Sequence, residues 1–523
     1  MSGPYVLGVD FGTESCRAGI FDLAGRPLAV AATPYATNHP RPGWAEQDPY
    51  DWWRALGQSA RTALARSGVD AADVAAVSAD ATTMTVVAAD REGNPLRPAV
   101  MWMDVRAAAQ AERAAGLDHP ARLYNAGGSG PASAEWFPFK AAWLKENEPD
   151  VYNAAYMLTD AVDWLTHRLT GVWNVNVNTA AHRMYYNRDL GGWPEDFYAH
   201  VGAGDVFGKL PERVADLGDR VGGLSPAAAA HCGLRPGIPV GQGGSDATAG
   251  QLGLGVVEAG RLVLITGSSH AIFGQSDRPV HGAGFWGGYT DSVIPGQYTV
   301  EGGQVSTGSV MKWFKDQFAR DVADEAARAG RSVYDLLGEE AAGVPIGSDG
   351  LIVNEYFQGN RTPYTDAKAR GVIWGLTLAH TRGHVYHAIQ EGICYGTAHN
   401  LRAMAAAGFT ASELVVSGGM AKSRPLLQLH ADVTGLPITL TAVQDSPALG
   451  SAICAAVGAG CFPDLETAAA QMVRRVDQVA PDPDRHRAYQ FYVDAYVAGY
   501  PALRAEIHRL ADHAAGSAAN PAV

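Results

Sequence analysis

Twice in this chain an apolar strand enters a tight turn of small residues and a second strand leaves it. The first instance is Tyr5-Val6-Leu7-Gly8-Val9-Asp10-Phe11-Gly12, the turn Gly12-Thr13-Glu14-Ser15, and Cys16 to Asp22. The second is Gly260 to Ile265, the turn Thr266-Gly267-Ser268-Ser269, and Ala271-Ile272-Phe273-Gly274. A repeated strand-turn-strand opening is the signature of two related halves, and related halves place a ligand cleft between them. The 523 residues allow this, since ~100–200 residues make a domain. The boundary is expected near residues 251–258, giving domains over 1–254 and 255–513 and a flexible tail over 514–523.

After the first hairpin, Pro27 to Tyr35 reads as a third strand, and Asp48-Pro49 opens a helix running toward Arg66. Strand-like segments follow at Asp73–Asp80 and Met84–Ala89, and the β-β-β-α-β-α order is expected to continue to about residue 250. Hydrophobic residues make up 47% of the chain, which excludes a mainly disordered protein. The net charge of −14 argues against nucleic acid or an anionic membrane held by bulk charge, though backbone N–H groups and a metal can still hold a polyanion such as ATP. The five cysteines are scattered and form no C-x-x-C pair, which fits a reducing compartment. Neither a signal peptide nor a stretch of ~18 apolar residues is apparent, so the expected location is the cytoplasm.

Asp10-x-Gly12-Thr13-x-Ser15-x-Arg17 occupies the first hairpin. Gly12 lets backbone N–H groups approach a phosphate, Thr13 and Ser15 add hydroxyl donors, and Arg17 adds a fixed charge. Asp10, at the end of a buried strand, is placed to hold Mg²⁺ directly or through water. The same residues also suit an ordinary hairpin with a turn glycine. Thr266-Gly267-Ser268-Ser269 reads as a second phosphate cradle or as a plain Ser/Gly loop. In Gly241-Gln242-Gly243-Gly244-Ser245-Asp246, glycines free the backbone before an acid at a helix start. Such an acid is stabilised as the anion and can accept a proton from a substrate hydroxyl, unless it is merely the N-cap. Leu414 to Ser423 is a strand, a Gly418-Gly419 turn and the start of a helix ending at Thr434-Gly435, the form of a nucleotide-binding turn. Lys422 there reads as a solvated cation.

The order Asp10-Phe-Gly-Thr, Trp102-Met-Asp-Val-Arg106, Gly243-Gly-Ser-Asp246, Thr266-Gly-Ser268, Gly418-Gly-Met-Ala-Lys-Ser423 and Asp445 to Ala452 resembles the FGGY carbohydrate kinases over residues ~5 to ~500. Gly43 to Pro49, Trp143 to Asn147 and Arg361 to Tyr364 extend the match, while Phe137-Pro138-Phe139 before Lys140 and Gln390 before Glu391 depart from it. The resemblance implies an α/β fold with two ribonuclease-H-like, actin-like ATPase domains and a catalytic cleft between them. It implies an enzyme that uses ATP and Mg²⁺ to phosphorylate a sugar hydroxyl. By it, Asp246 is the catalytic base and Asp10 organises Mg²⁺. Gly12, Thr13, Ser15, Arg17, Thr266 and Gly267 handle phosphates, and Gly418 and Gly419 flank the adenosine.

Ser133 to Phe137, Ala180 to Arg183 and Glu301-Gly-Gly-Gln304 with Trp313-Phe314 look most like the ribulokinase branch. That implies a ketopentose, ribulose first, with Thr82, Trp102, Asp104, Arg106, Glu135, Arg183, Asp246 and Glu301 on the sugar side. Glu301 as a surface acid and Arg183 as a loop salt bridge are the competing readings. Segments 419–423 and 431–435 also resemble xylulokinases, so a xylulose, polyol or other sugar kinase stays open. An actin-like ATPase or sensor that phosphorylates no sugar is the reading from another class. His182, His270 and His281 sit near the expected cleft without metal-ligand spacing, and His384 and His387 read as packing. A homodimer is suggested by the resemblance alone.

Overall fold

The computed structural model describes residues 3–443 and 445–519. Strand β1 (Tyr5–Phe11) is buried along its whole length because it lies between a hairpin partner and a parallel neighbour. The partner is β2 (Ser15–Asp22), and β3 (Pro27–Pro34) follows it on the sheet edge. Helix α1 (Pro49–Ser67) crosses back. Asp48 caps it by accepting from Tyr50 N at 2.9 Å, and Gly68 at φ 69° ends it. The parallel neighbour is β4 (Val74–Ala81), and β5 (Arg220–Gly223) and β6 (Pro239–Gly241) complete the order β5-β6-β4-β1-β2-β3.

The second half repeats this plan. Its hairpin is β7 (Arg261–Thr266) and β8 (His270–Ser276), with β9 (Trp286–Thr290) and β10 (Tyr298–Gln304) antiparallel beyond β8. On the other side lie β11 (Glu413–Gly418), β12 (Ile438–Thr441) and the antiparallel edge β13 (Arg475–Val479). The order β5-β6-β4-β1-β2-β3 corresponds strand for strand, directions included, to β13-β12-β11-β7-β8-β10. The repeat heard faintly in the two hairpins therefore extends over six strands of each sheet.

The first half does not keep a uniform alternation to residue 250. Between β4 and β5 the chain leaves the sheet and folds on itself, because its aromatic residues are dense enough to make a separate core. Trp136, Phe137, Phe139, Tyr185, Phe197 and Tyr198 are buried there, around α2 (Phe137–Asn147). Helix α3 (Ala161–Thr170) turns back to the main core, and α4 (Val177–Arg183) runs to the cleft. Tyr289, from the second half, closes this aromatic core.

Helix α5 (Asp246–Gly253) ends the first half. In the second, α6 (Gly308–Phe318) packs on α7 (Arg382–Ala406), and α7 joins α8 (Arg424–Thr434) over the sheet. Helix α9 (Ser446–Gly458) is built of small residues and lies against α5 and against β1 and β4 of the first sheet. Val6, Phe21 and Ala76 share a core with Ala448, Leu449 and Ala452, so the halves are joined by packed apolar surface. The approach requires glycine: a Cβ at Gly8 would stand 2.0 Å from Ala448 O. The last helix, α10 (Pro483–Ala519), continues well into the segment expected as a flexible tail; residues 520–523 lie outside the described ones. Among the described residues no helix is long and apolar enough to cross a membrane, and all five cysteines are free.

Candidate active site

The β1–β2 turn is closed by Gly12 N donating to Ser15 O at 3.1 Å. Thr13 is held from the first half's inner face: its carbonyl accepts from Gln47 Nε2 at 2.7 Å and its hydroxyl from Trp102 Nε1 at 3.2 Å. Arg17, expected on a phosphate, donates from Nη1 to Asp10 Oδ2 at 2.9 Å and remains half-exposed. Asp10 has a partner that sequence reasoning missed. Asp80 stands beside it in register on the parallel strand β4, fully buried, with Ser451 Oγ of α9 donating to its Oδ2 at 2.7 Å. Burial raises both carboxyls; Arg17 opposes the rise at Asp10, whereas Asp10 itself adds to it at Asp80. Asp80 is thus the member of the pair pushed further toward the neutral form. The available signal was an acid near the end of the buried run Val74–Ala81.

The glycines before Asp246 are close-packing residues. A Cβ at Gly243 would lie 1.9 Å from Ala79 O, and Ala81 N donates to Gly244 O at 3.2 Å, so the turn is sewn to the end of β4. Ser245, not Asp246, is the N-cap of α5, accepting from Thr248 N at 3.3 Å. That leaves the Asp246 carboxylate on the first helical residue, where Ala247 N donates to its Oδ1 at 2.8 Å. The residue is half-buried, yet its carboxyl is enclosed enough that loss of hydration, then the charge of Asp10, pushes its pKa up to about 7. Such a carboxyl sits near the proton affinity useful to a general base at neutral pH.

Arg183 ends α4 and Glu301 lies within β10, so the two halves each contribute one member of a buried pair. The pair is bidentate, Nη1 to Oε2 and Nη2 to Oε1, both at 3.0 Å. Tyr289 Oη donates to Glu301 Oε2 at 3.3 Å, and the guanidinium lies 5.5 Å from the Trp136 ring centre. Burial alone would raise the Glu301 carboxyl, but Arg183 turns the shift downward, so the acid is ionised. Neither residue is a surface group. Asn178, also unforeseen, ties this region to Asp246: its Oδ1 accepts from Ser245 N and its Nδ2 donates to Ser292 O, each at 2.9 Å.

The remaining residues expected on the sugar side divide. Thr82 is buried with its hydroxyl 3.1 Å from that of Thr85, and Trp102 and Glu135 are half-buried on the same side. Asp104 and Arg106 lie beneath, bonded to each other. Asp104 Oδ2 also accepts from Ala45 N at 2.7 Å, Arg106 Nη2 also donates to Glu46 Oε1 at 2.7 Å, and Arg106 lies 3.8 Å over the Trp44 ring. They frame the Trp44–Glu46 segment.

On the second half a cavity of about 1250 Å³ opens beside the β7–β8 turn, lined by Thr266, Gly267, Gly308, Gln390, Gly419 and Lys422 among others. The Thr266 hydroxyl donates to Ser417 O at 2.7 Å and accepts from Met420 N at 3.0 Å, so it joins the two turns. Gly418, at φ 90°, brings them together, since a Cβ would meet Thr266 O at 1.9 Å. The start of α6 belongs to this wall and was not anticipated: Thr307 N and Ser309 N both donate to Ser268 O. The small-residue run Ser306-Thr307-Gly308-Ser309 after an apolar strand was its signal.

Two family models cover most of the chain. The N-terminal domain of the FGGY family of carbohydrate kinases matches residues 5–253, and the C-terminal domain matches 262–459. The ribulokinase of Halalkalibacterium halodurans is 32% identical over 538 residues, covering 95% of this chain and 94% of that protein. The ribulokinase of Mycolicibacterium smegmatis is 33% identical over 526 residues, covering 94% and 93%. The crystal structure of xylulose kinase from Rhodospirillum rubrum superposes with a TM-score of 0.84 at 28% identity, over 96% of this chain and 100% of that one. The shared architecture is a two-domain α/β, actin-like ATPase fold.

Proposed function

The chain belongs to the FGGY family of carbohydrate kinases and is an ATP-dependent phosphotransferase, and from that premise we propose that it phosphorylates a terminal hydroxyl of a ketopentose, ribulose before others. The observation that carries the substrate reading is the buried Arg183–Glu301 pair, one residue from each half, supported by the ribulokinase relatives. The bidentate contact fixes both side chains and leaves the remaining guanidinium N–H groups and carboxylate lone pairs in set positions for a polyhydroxy chain.

In this reading Asp246 takes the proton of the attacking hydroxyl as the γ-phosphoryl group transfers in line. Backbone N–H groups of the Gly12–Ser15 and Gly267–Ser269 turns face the phosphates, and the Gly418–Gly419 turn and the cavity beside it receive the nucleoside. Closure of the two halves excludes water from the reacting phosphoryl group. The hard carboxylate oxygens of Asp10 fit Mg²⁺, which binds through one or two carboxylates plus substrate phosphates; among the described residues no cluster is placed to hold a metal alone. When bound at Asp10, the ion would offset phosphate charge.

The likeness to a solved xylulose kinase favours xylulose as the second reading. ADP release, measured by a coupled assay with D- and L-ribulose, D-xylulose, erythritol, ribitol and glycerol, decides between them. Ribulose is expected to give the highest kcat/KM; a clear preference for xylulose or a polyol would reject the ribulose assignment.

A further inference from the structure

Lys140 lies on α2, is buried to 1% exposure, and no carboxylate stands within hydrogen-bond distance of its ammonium among the bonds observed. Its three N–H donors go instead to backbone carbonyls: Met84 O at 2.8 Å, Met101 O at 2.6 Å and Trp102 O at 3.4 Å. A buried charge without an ion-pair partner is unfavourable, so an apolar residue of the same shape would remove that cost while leaving the Met84 and Trp102 carbonyls without this donor. What the ammonium does supply is a fixed distance between the ends of two segments that pair as strands at Val86 and Val100. One carries Thr82 and Thr85; the other carries Trp102, whose backbone N–H donates to Thr85 Oγ1 at 3.2 Å and whose indole reaches Thr13 on the phosphate hairpin.

The first of these segments is gripped from its other side as well. Asp160, the N-cap of α3, accepts from Thr83 Oγ1 at 3.1 Å and from Thr85 N at 3.2 Å. Lys140 and Asp160 thus bracket residues 83–85 between a cation on the carbonyl side and an anion on the hydroxyl and N–H side. Burial pulls the Lys140 ammonium down to about 7, and the carboxylates of Glu135, Asp104 and Asp160 hold it up against the nearby Arg106.

We propose that Lys140 is a positioning residue for sugar phosphorylation: its ammonium sets the spacing of the Thr82–Thr85 and Met101–Trp102 segments, and thereby the sugar-side wall of the site facing the phosphate hairpin. The inference rests on the sugar-kinase reading but on no particular sugar, so whichever sugar the wild-type enzyme turns over best serves as the probe. If wild type prefers xylulose, the ribulose assignment fails while this proposal is tested unchanged.

The test is Lys140→Met and Lys140→Gln, each measured for melting temperature, sugar KM, ATP KM and kcat. Lys140→Met is expected to melt within a few degrees of wild type, with sugar KM raised at least tenfold and ATP KM changed less than threefold. Lys140→Gln keeps two donors and is expected to fall between. Sugar KM within twofold of wild type in either folded variant overturns the proposal. So does a parallel rise of sugar and ATP KM that tracks lost stability, and so does failure of both variants to fold, since each would mark Lys140 as a purely structural strut.

Discussion

Replacing Asp246 by Asn should make the protein more stable and nearly inactive at once. The carboxyl is moved from its ordinary 3.8 to about 7, which corresponds to about 4 kcal/mol of penalty on the ionised form. Because the residue is half-buried, solvent screens this to about 1–2 kcal/mol. The sign follows from linkage. A raised folded-state pKa means that the native protein holds a proton the unfolded chain has lost, so the favourable contribution is complete below the unfolded value and fades as pH rises through about 7. Asn removes the charge altogether. At pH 8 the variant should therefore melt a few degrees above wild type, the difference should shrink below pH 7, and it should vanish near pH 4. Turnover of ribulose should fall by about 10²–10⁴-fold, the range for loss of a general base. In wild type, kcat/KM for the sugar should climb with pH as one proton is lost and level off above about 7. Calorimetry across pH and a coupled ADP assay read both halves of the prediction. Near-wild-type phosphorylation would refute the base assignment, and a lower melting temperature at pH 8 would refute the electrostatic account.

Three further variants probe neighbouring parts of the site. Glu301→Gln leaves the buried Arg183 guanidinium without its carboxylate and should lose about 3–5 kcal/mol of stability, whereas Arg183→Met with Glu301→Leu should melt close to wild type and still not turn over ribulose; denaturant titration with parallel sugar kinetics distinguishes the two. Asp80→Asn mimics the neutral acid and keeps an acceptor for Ser451, so kcat should stay within about threefold of wild type; a hundredfold loss would show that Asp80 works as the anion.

The sequence spoke most clearly where chemistry and backbone demand coincide. Gly243 and Gly418 were found because only glycine permits the close approaches they make, whereas a Cβ at Gly12 would meet only Ser15 O at 3.8 Å. The repeated hairpin was audible in two short segments, and it led to the two-domain fold. The acids and amides that hold the site from behind were silent, because Asp80, Asp160 and Asn178 reach Ser451, Thr83 and Ser245, which lie 67–371 residues away in the chain. No local pattern encodes such a pairing. Asp104 and Arg106 show the converse: a recognisable motif drew them to the sugar, yet they bond each other beneath Trp44. The small-residue helix α9 was matched by motif, but its role in joining the halves emerges only from packing. Ser245 took the cap that the residue type alone allowed Asp246 to fill, and that assignment decides whether the carboxylate is available.

The central claim is transfer of the γ-phosphoryl group of ATP to the terminal hydroxyl of a ketopentose, and phosphorus NMR of the reaction with ribulose tests it most directly. The account predicts one ADP for each new phosphomonoester, with the product signal coupled to the two protons of a terminal CH₂ group. ATP consumed with inorganic phosphate as the sole product, or a phosphomonoester on an internal carbon, would contradict it.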